Sequence, residues 1–396
     1  MRVLFSTTAG AGHFAPIVPF ARAVSDAGHD VRVAAAESFA STVQRAGFEH
    51  APFDDADPAE IGAVYAQLHR VTVDEGNTRV AREIFARIDS AAALPKLRAI
   101  VDSWRPDVVI GETAEFSSAL VAQERGLPQL RVNIALDAFT EQMYELVDEP
   151  LRELGCATGS EDLRAVPRLT LLPSAFDAQA GSAAVHRFRD ASVASADHDI
   201  PSSWWPERYA DRPLVYVTFG SIAGGTGFYP GFYRRVLDML ADVPARVLMT
   251  LGAGLEPAAL GELAPNVHVE NWWPQESVLG AASVVVGHGG FGTTIATLAH
   301  GVPQVIVPLF AGDQYANADR VGAVGVGISL SPGDPVSLRS ADVIPAGPDL
   351  TSLADAVSRA LTDRALAATA RSVAAELANL PSAAEAVDVI LAQTSR

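Results

Sequence analysis

"ASVVVGHGGFGTTIATLAHGVPQVIVP", Ala282 to Pro308, shows how the chain is built. A short valine run ends in glycines. An amphipathic stretch follows, and then a second Val/Ile run. That is strand, glycine turn, helix, strand, a unit that requires a parallel sheet. The pattern extends upstream through "PLVYVTFGS" (213–221), "ARVLMTLG" (245–252) and "NVHVENW" (266–272). It recurs in the amino-terminal half, with strands expected at 2–6, 31–35, 107–111, 129–134 and 169–172. "FAPIVPFARAVSDAG" has apolar residues at helical spacing and ends at Gly28, which predicts the first helix.

At 396 residues the chain exceeds the ~250–300 at which a single core stops growing. The fold class is therefore α/β: two tandem Rossmann-like, doubly wound parallel-sheet domains, 1–205 and 206–375, facing a cleft. Residues 177–212, with scattered Ser, Asp, His and Pro, read as the linker. The Ala-rich end, 376–396, is expected as a helix that can cross back onto the first domain. Ligands of such sheets bind beyond the carboxyl ends of the strands.

Composition excludes several functions. The net charge of −18 repels nucleic acid and anionic lipid, so neither is expected as a partner. Lys96 is the one lysine of 29 basic residues, which removes a Walker lysine. It sits in "LPKLRA", which reads as an exposed helix start and a poor site for a Schiff base. Cys156 is alone, so no disulfide or cysteine zinc site is expected. "MRVLFSTT" reads as a strand with no leader before it, and no apolar run approaches ~18 residues, so the expected location is cytoplasmic. Oligomeric state is not readable.

The first glycine turn has two readings. Gly10, Gly12 and Ala15 fit a dinucleotide turn, and Glu37 closes the second strand as a ribose acid would, which points to an NAD or FAD oxidoreductase. The other reading centres on His13, where the turn meets the first helix at the carboxyl edge of the sheet. A histidine there serves as a general base near neutral pH. Glu112, ending its own strand, is the best-placed carboxylate to orient it.

In the second half, Gly289, Gly290 and Gly292 shape a turn that points amides inward, with Thr293 and Thr294 in the first helical turn. A helix end of this kind binds a diphosphate without lysine. His288 adds a side-chain donor, and Ser221 a hydroxyl and an amide. Of Trp272 and Trp273, followed by Gln275, at most one stacks on a planar base. Asp313 and Gln314 pair a carboxylate with an amide, suited to vicinal sugar hydroxyls, and Asn317 fits the start of the following helix. Base platform, phosphate turn and hydroxyl clamp together describe a nucleotide-sugar site.

"GHFAPIVPFARAVSDAGHDV" and "WWPQESVL…GHGGFGTTIATLAHGVPQVIVPLFAGDQYANADRV" resemble the signatures of the family 1 glycosyltransferases of the GT-B fold, especially the bacterial antibiotic-decorating enzymes such as those for calicheamicin and macrolides. The resemblance spans the chain. It implies that His13 deprotonates the acceptor with Glu112 behind it, where many relatives carry Asp. It gives His288, Gly290, Thr293 and Ser221 to the diphosphate, Trp272 to the base, and Asp313 and Gln314 to the sugar. UDP-sugar members usually carry a Glu where this chain has Ala296; a 2′-deoxyribose needs no such acceptor, so a dTDP-sugar is favoured.

The expected reaction is an inverting transfer of a deoxysugar from an NDP-sugar co-substrate to a hydroxyl of an apolar natural-product aglycone. No tightly bound cofactor and no metal are expected. Asp55-Ala56-Asp57 and Asp197-His198-Asp199 match D-x-D but read as solvated loops. Phe53, Tyr65, Phe139, Met143 and Tyr144 are candidate acceptor contacts, or equally core, and Gly12 is grouped with the donor contacts. A nucleotide-sugar epimerase of the same fold and a non-catalytic activator protein stand beside the oxidoreductase as rivals.

Overall fold

The computed structural model describes residues 1–155, 159–191, 199–343 and 347–394. Two compact units divide the chain. The first comprises Met1–Leu68, Glu75–Ala191 and Leu380–Arg396, and the second His69–Asp74 and Ser192–Asn379.

The first unit is built on β1 (Arg2–Ser6), β2 (Asp30–Ala36), β3 (Glu49–Phe53), β4 (Val108–Glu112), β5 (Gln129–Val132), β6 (Arg168–Thr170) and β7 (Val185–Arg187). All are parallel, in the order β3-β2-β1-β4-β5-β6-β7. The central strands are continuous apolar runs because helices cover both faces of a parallel sheet. On one face Leu4, Ala34 and Ala36 pack against Leu94, Leu97 and Val101 of helix Ser90–Trp104 and Leu120 and Val121 of helix Ser117–Glu124. Ser6 is the register partner of Gly111, and the sheet order reverses between β1 and β4. The turns leaving these two strands therefore open side by side at the carboxyl edge.

The second unit holds β8 (Leu214–Thr218), β9 (Arg246–Thr250), β10 (Val267–Glu270), β11 (Ala282–Gly287), β12 (Gln304–Ile306) and β13 (Gly327–Ser329), parallel in the order β10-β9-β8-β11-β12-β13. Here the switch lies between β8 and β11, where Thr218 partners Gly287. The turns after these strands are neighbours in turn.

β3, β7 and β13 are absent from the sequence expectation. All three are edge strands. "EHAPF" carries a proline, tolerated only where no neighbour needs its amide, and "VHR" and "GIS" are too short to form an apolar run. The supposed linker from 177 is corrected by β7, which pairs with β6, and by Asp177, whose carboxylate accepts the amide of Asp137 at 3.0 Å. The predicted first helix is two pieces, Ala11–Phe14 and Val18–Asp26, with Gly28 at φ +84° beyond the second. Lys96 lies inside helix Ser90–Trp104, not at its start, and pairs with Glu37 at 2.6 Å and Asp54 at 2.7 Å.

The carboxyl-terminal segment is tied into the first unit by backbone. Arg189 N donates to Pro381 O and Ala383 N to Arg189 O, each at 2.9 Å, and helix Ala386–Gln393 buries Val387 and Ile390. Among the described residues no helix is long and apolar enough to cross a membrane.

Candidate active site

The first unit brings His13 and Glu112 together. β1 feeds a turn whose short helix Ala11–Phe14 carries His13, and β4 ends on Glu112. His13 Nδ1 donates to Glu112 Oε1 at 3.0 Å. Glu112 is fully buried, while the His13 side chain is 25% exposed. The same oxygen accepts from the Thr8 amide at 3.4 Å and the Thr8 hydroxyl at 3.3 Å, and Oε2 accepts from Ala114 N. Burial pushes Glu112 up, but the charge and hydrogen bond of His13, the Ala114 amide and the Arg131 guanidinium outweigh it and hold the carboxyl below its ordinary range. An Nδ1–H given to a carboxylate leaves the ring's lone pair on Nε2, the tautomer a base needs.

A ten-residue π-helical segment, Val80–Asp89, flanks the pair. The edge of the Phe85 ring meets the His13 ring at 5.3 Å between centroids. Asp89, four residues on, is pushed up to about 7, first by burial, with Glu112 and Glu115 raising it and His13 opposing. Sequence reasoning missed this segment, because its composition is that of an ordinary amphipathic helix.

A Cβ at Gly10 would stand 2.9 Å from His13 Cδ2, so the absence of a side chain at Gly10 makes room for the imidazole. Glu37, the supposed ribose acid, is committed to Lys96. A Cβ at Gly12 would meet nothing within 4 Å, so packing does not dictate that glycine. Of the expected acceptor contacts, Phe53, Met143 and Tyr144 belong to the core, with Tyr144 fully buried. Their burial is that of packing residues, the second of the two readings. Tyr65 is exposed and Phe139 half-buried.

The first D-x-D match, Asp55-Ala56-Asp57, lies in the turn that leaves β3. Asp55 accepts from Ser38 N and Oγ, and Asp57 caps helix Pro58–Leu68 through Ala59 N at 2.8 Å. Asp197 and His198, like Cys156, lie outside the described residues.

The second unit assembles the glycine turn. β11 ends at Gly287, and helix Phe291–Ala299 begins after Gly290 with no side chain capping its first amides. Gly289 is at φ +85°, and a Cβ there would stand 2.8 Å from Gln314 O. His288 lies between Gly220 and Gly290; a Cβ at these positions would approach it to 2.9 and 2.5 Å. Burial pushes His288 down to about 4, so it is neutral at pH 7, and its Nδ1 is buried with no partner among the described residues. A neutral ring beside the uncapped amides of a helix N-terminus is an arrangement with which an anion can be held without a cation.

The surrounding expectations separate. Gln275 Nε2 donates to Thr293 Oγ1 at 3.3 Å, joining two of them. Ser221 is exposed in the turn after β8. Thr294 is buried and its hydroxyl has no partner among the described residues. Trp272 is 70% exposed. Trp273 packs edge-on against Trp204, at 4.8 Å between centroids, as the packing member of the two tryptophans would. Asp313 lies in the first turn of helix Gly312–Val324. Gln314 next to it is buried, and its Oε1 accepts from Leu309 N at 2.9 Å and Phe310 N at 3.1 Å, so its oxygen is used by the backbone. Asn317 Nδ2 donates to Gly289 O at 2.7 Å, so the same helix braces the glycine turn. Ala296 is buried in a cluster with Val278 and Leu279.

Residues 22–185 match the amino-terminal domain, and residues 234–392 the carboxyl-terminal domain, of the erythromycin biosynthesis protein CIII-like family. The chain is similar to the L-demethylnoviosyl transferase of Streptomyces niveus, 30% identical over 83% of this chain and 85% of that protein. It belongs to the family 1 GT-B glycosyltransferases of antibiotic biosynthesis. This glycosyltransferase is also similar to the TDP-daunosamine transferase of Streptomyces peucetius, 29% identical over 84% of this chain and 85% of that one. The crystal structure of the glycosyltransferase SnogD from Streptomyces nogalater superposes with a TM-score of 0.70 at 27% identity, covering 100% of this chain and 99% of that one. The oxidoreductase, epimerase and non-catalytic readings give way to an enzyme that attaches sugars.

Proposed function

We propose that this glycosyltransferase moves a deoxysugar from a dTDP-sugar to a hydroxyl of an apolar natural-product acceptor, with inversion and with His13 as general base. The observation that carries the reading is the 3.0 Å bond between His13 Nδ1 and buried Glu112. It directs the lone pair of Nε2 outward, with an anion behind the ring to stabilise the imidazolium. The acceptor oxygen bonds to the anomeric carbon as its proton passes to Nε2. The bond from that carbon to the diphosphate breaks, and its electron pair leaves with dTDP. Negative charge grows on the leaving group. In this reading the uncapped amides of helix Phe291–Ala299 and the neutral His288 receive it, so no resident metal or other cofactor is invoked. Trp272 receives the base, and Asp313 with the Gln314 amide receives the sugar. The charge of −18 supports substrates other than nucleic acid and anionic membrane.

The thymidine preference rests on Ala296, where no carboxylate is available for a ribose 2′-hydroxyl. The likeness to a protein named as a TDP-daunosamine transferase supports it. Thermal-shift titration of dTDP against UDP tests the donor. Ligand at a hundred times its Kd adds about 2.7 kcal/mol of stability; tighter binding of UDP removes the thymidine assignment. Product formation by His13→Ala tests the base: an unchanged rate removes His13 from the mechanism. Activity lost on chelation and restored only by a divalent ion would remove the metal-independent reading.

A further inference from the structure

Arg131, in β5, is 1% exposed and is among the largest fully buried side chains of the molecule. Its hydrogen bonds go to neutral acceptors. Nη1 donates to Ser118 Oγ at 3.1 Å, and Nη2 donates to the carbonyl oxygens of both Glu112 and Glu115. A buried guanidinium with no ion-paired carboxylate is costly, and a well-packed apolar side chain in its place would commonly be no worse for stability.

Its bonds define what it holds. The two carbonyls bound the turn that carries Glu112 away from β4, and Ser118 lies in the first turn of the helix that follows. The guanidinium closes that turn from behind. Gly111 makes room for it, since a Cβ there would overlap both Arg131 Nη1 and Ser118 Oγ. On its other side the turn satisfies itself: Glu112 Oε2 takes the Ala114 amide, and the Glu115 carboxylate takes the Ser117 hydroxyl and the Ser118 amide.

Charge points the same way. The groups facing Glu112 are His13 and Thr8 from the turn after β1, Asp89 from the π-helical segment, Glu115 from its own turn, Tyr144 from helix Asp137–Leu146, and Arg131 from β5. Two of these are acids. Among the described residues facing Glu112, Arg131 alone carries a permanent positive charge.

We propose that Arg131 is a positioning residue for the acid–base pair: its buried guanidinium locks the Glu112–Ser118 turn and supplies the fixed positive charge behind the Glu112 carboxylate. The inference rests on the reading of His13 and Glu112 as that pair.

NMR titration of the His13 imidazole in the full-length protein, assigned by its loss in His13→Gln, tests the proposal without any substrate. The ring reports its own protonation and, through the 3.0 Å bond, that of Glu112. Removing a nearby cation raises the proton affinity of both partners. In Arg131→Gln both inflections are expected to move up by about one pH unit. In Arg131→Lys, which keeps the charge but not the forked bonds, they stay near their parental positions while the melting temperature falls. Gly111→Ala, which displaces the guanidinium, moves them up as Arg131→Gln does. Unmoved inflections in folded Arg131→Gln overturn the proposal. Should that variant not fold, unmoved inflections in Gly111→Ala, or a Lys variant shifted as far as Gly111→Ala, overturn it equally. The outcome is separable from the proposed function, because sugar transfer by His13→Ala tests the base and this titration tests Arg131.

Discussion

His13 and Glu112 are 99 residues apart in the chain, yet Nδ1 of one lies 3.0 Å from Oε1 of the other. β1 and β4 are hydrogen-bonded neighbours, and each residue follows or ends its strand at the carboxyl edge. The pair is thus a product of sheet order. Its consequences, and those of the glycine cradle in the second unit, can be measured.

His13→Gln keeps a planar polar side chain and removes the base. Sugar transfer is expected to fall about 10²–10⁴-fold, the usual contribution of general base catalysis. Glu112→Gln keeps the shape and removes the anion, and is expected to cost about tenfold or more through loss of tautomer control. Circular dichroism should show both variants folded. Parental kcat in either variant ends that residue's assigned role.

Asp89 predicts a pH-dependent stability. Its folded pKa, about 7, lies above its unfolded value of 3.8, so its neutral form is the one the fold favours. Whatever stability this confers is complete below pH 3.8 and is lost as pH rises through 7. Asp89→Asn cannot ionise. The variant and the parent should melt together near pH 4, and the variant should become progressively the more stable up to about pH 7, with a constant gap above it. Melting curves at intervals from pH 4 to 8 decide this; a gap that does not change with pH refutes it.

Glu112 carries the opposite sign. Its folded pKa lies below its unfolded value of 4.5, so the stability it confers is present above pH 4.5 and lost as pH falls through the folded value. Glu112→Gln cannot ionise, so it lacks this stability throughout, and the parent's advantage over it should shrink as pH falls from 4.5 through the folded value. Parallel acid-unfolding curves from pH 5 to 2 would show parent and variant converging at the acid end, and curves that keep a constant separation count against the shift.

His288 and Gly290 should fail together. His288→Ala removes the donor, and Gly290→Ala puts a Cβ 2.5 Å from His288 Nε2 and drives the ring aside. Both are expected to weaken dTDP binding about tenfold, the loss of one hydrogen bond to a charged group. Isothermal titration with dTDP measures it. Gly62→Ala in helix Pro58–Leu68, which also meets open space, serves as the contrast: if it weakens binding as much as Gly290→Ala, the cradle is misassigned.

Gln314→Met removes the oxygen that accepts from Leu309 N and Phe310 N. The buried Leu309 amide and the half-buried Phe310 amide lose a partner, and a buried unsatisfied donor costs about 1–3 kcal/mol. Urea unfolding should show a loss within that range or above it. A melt identical to the parent's means that water or another acceptor replaces the amide.

The site was legible in part. Glycines around His288 and Gly290 announce a turn because their freedom of backbone conformation has few other uses. Gly10 and Gly12 do the same, and could not by themselves separate a phosphate turn from one that makes room for His13. The pairing of Trp204 with Trp273, the bond from Asn317 to Gly289 and the guanidinium of Arg131 behind Glu112 were illegible. None of these partners lies near the other in sequence, and their residue types are common in any α/β chain. Phe53, Met143 and Tyr144 show the same limit: an aromatic or a methionine on an amphipathic helix or strand looks alike whether it faces a ligand or the core.

What the sequence determined by itself was the alternation of strand and helix, the parallel sheets, the strand ends that carry polar residues and the family. Each rests on local periodicity or on spaced motifs, and such signals survive in one dimension. What only the tertiary structure decided was which strand ends are neighbours, which side chains on them meet, and which edge strands complete each sheet. Those depend on contacts between residues far apart in the chain, where an apolar pattern says that a face is buried but not against what.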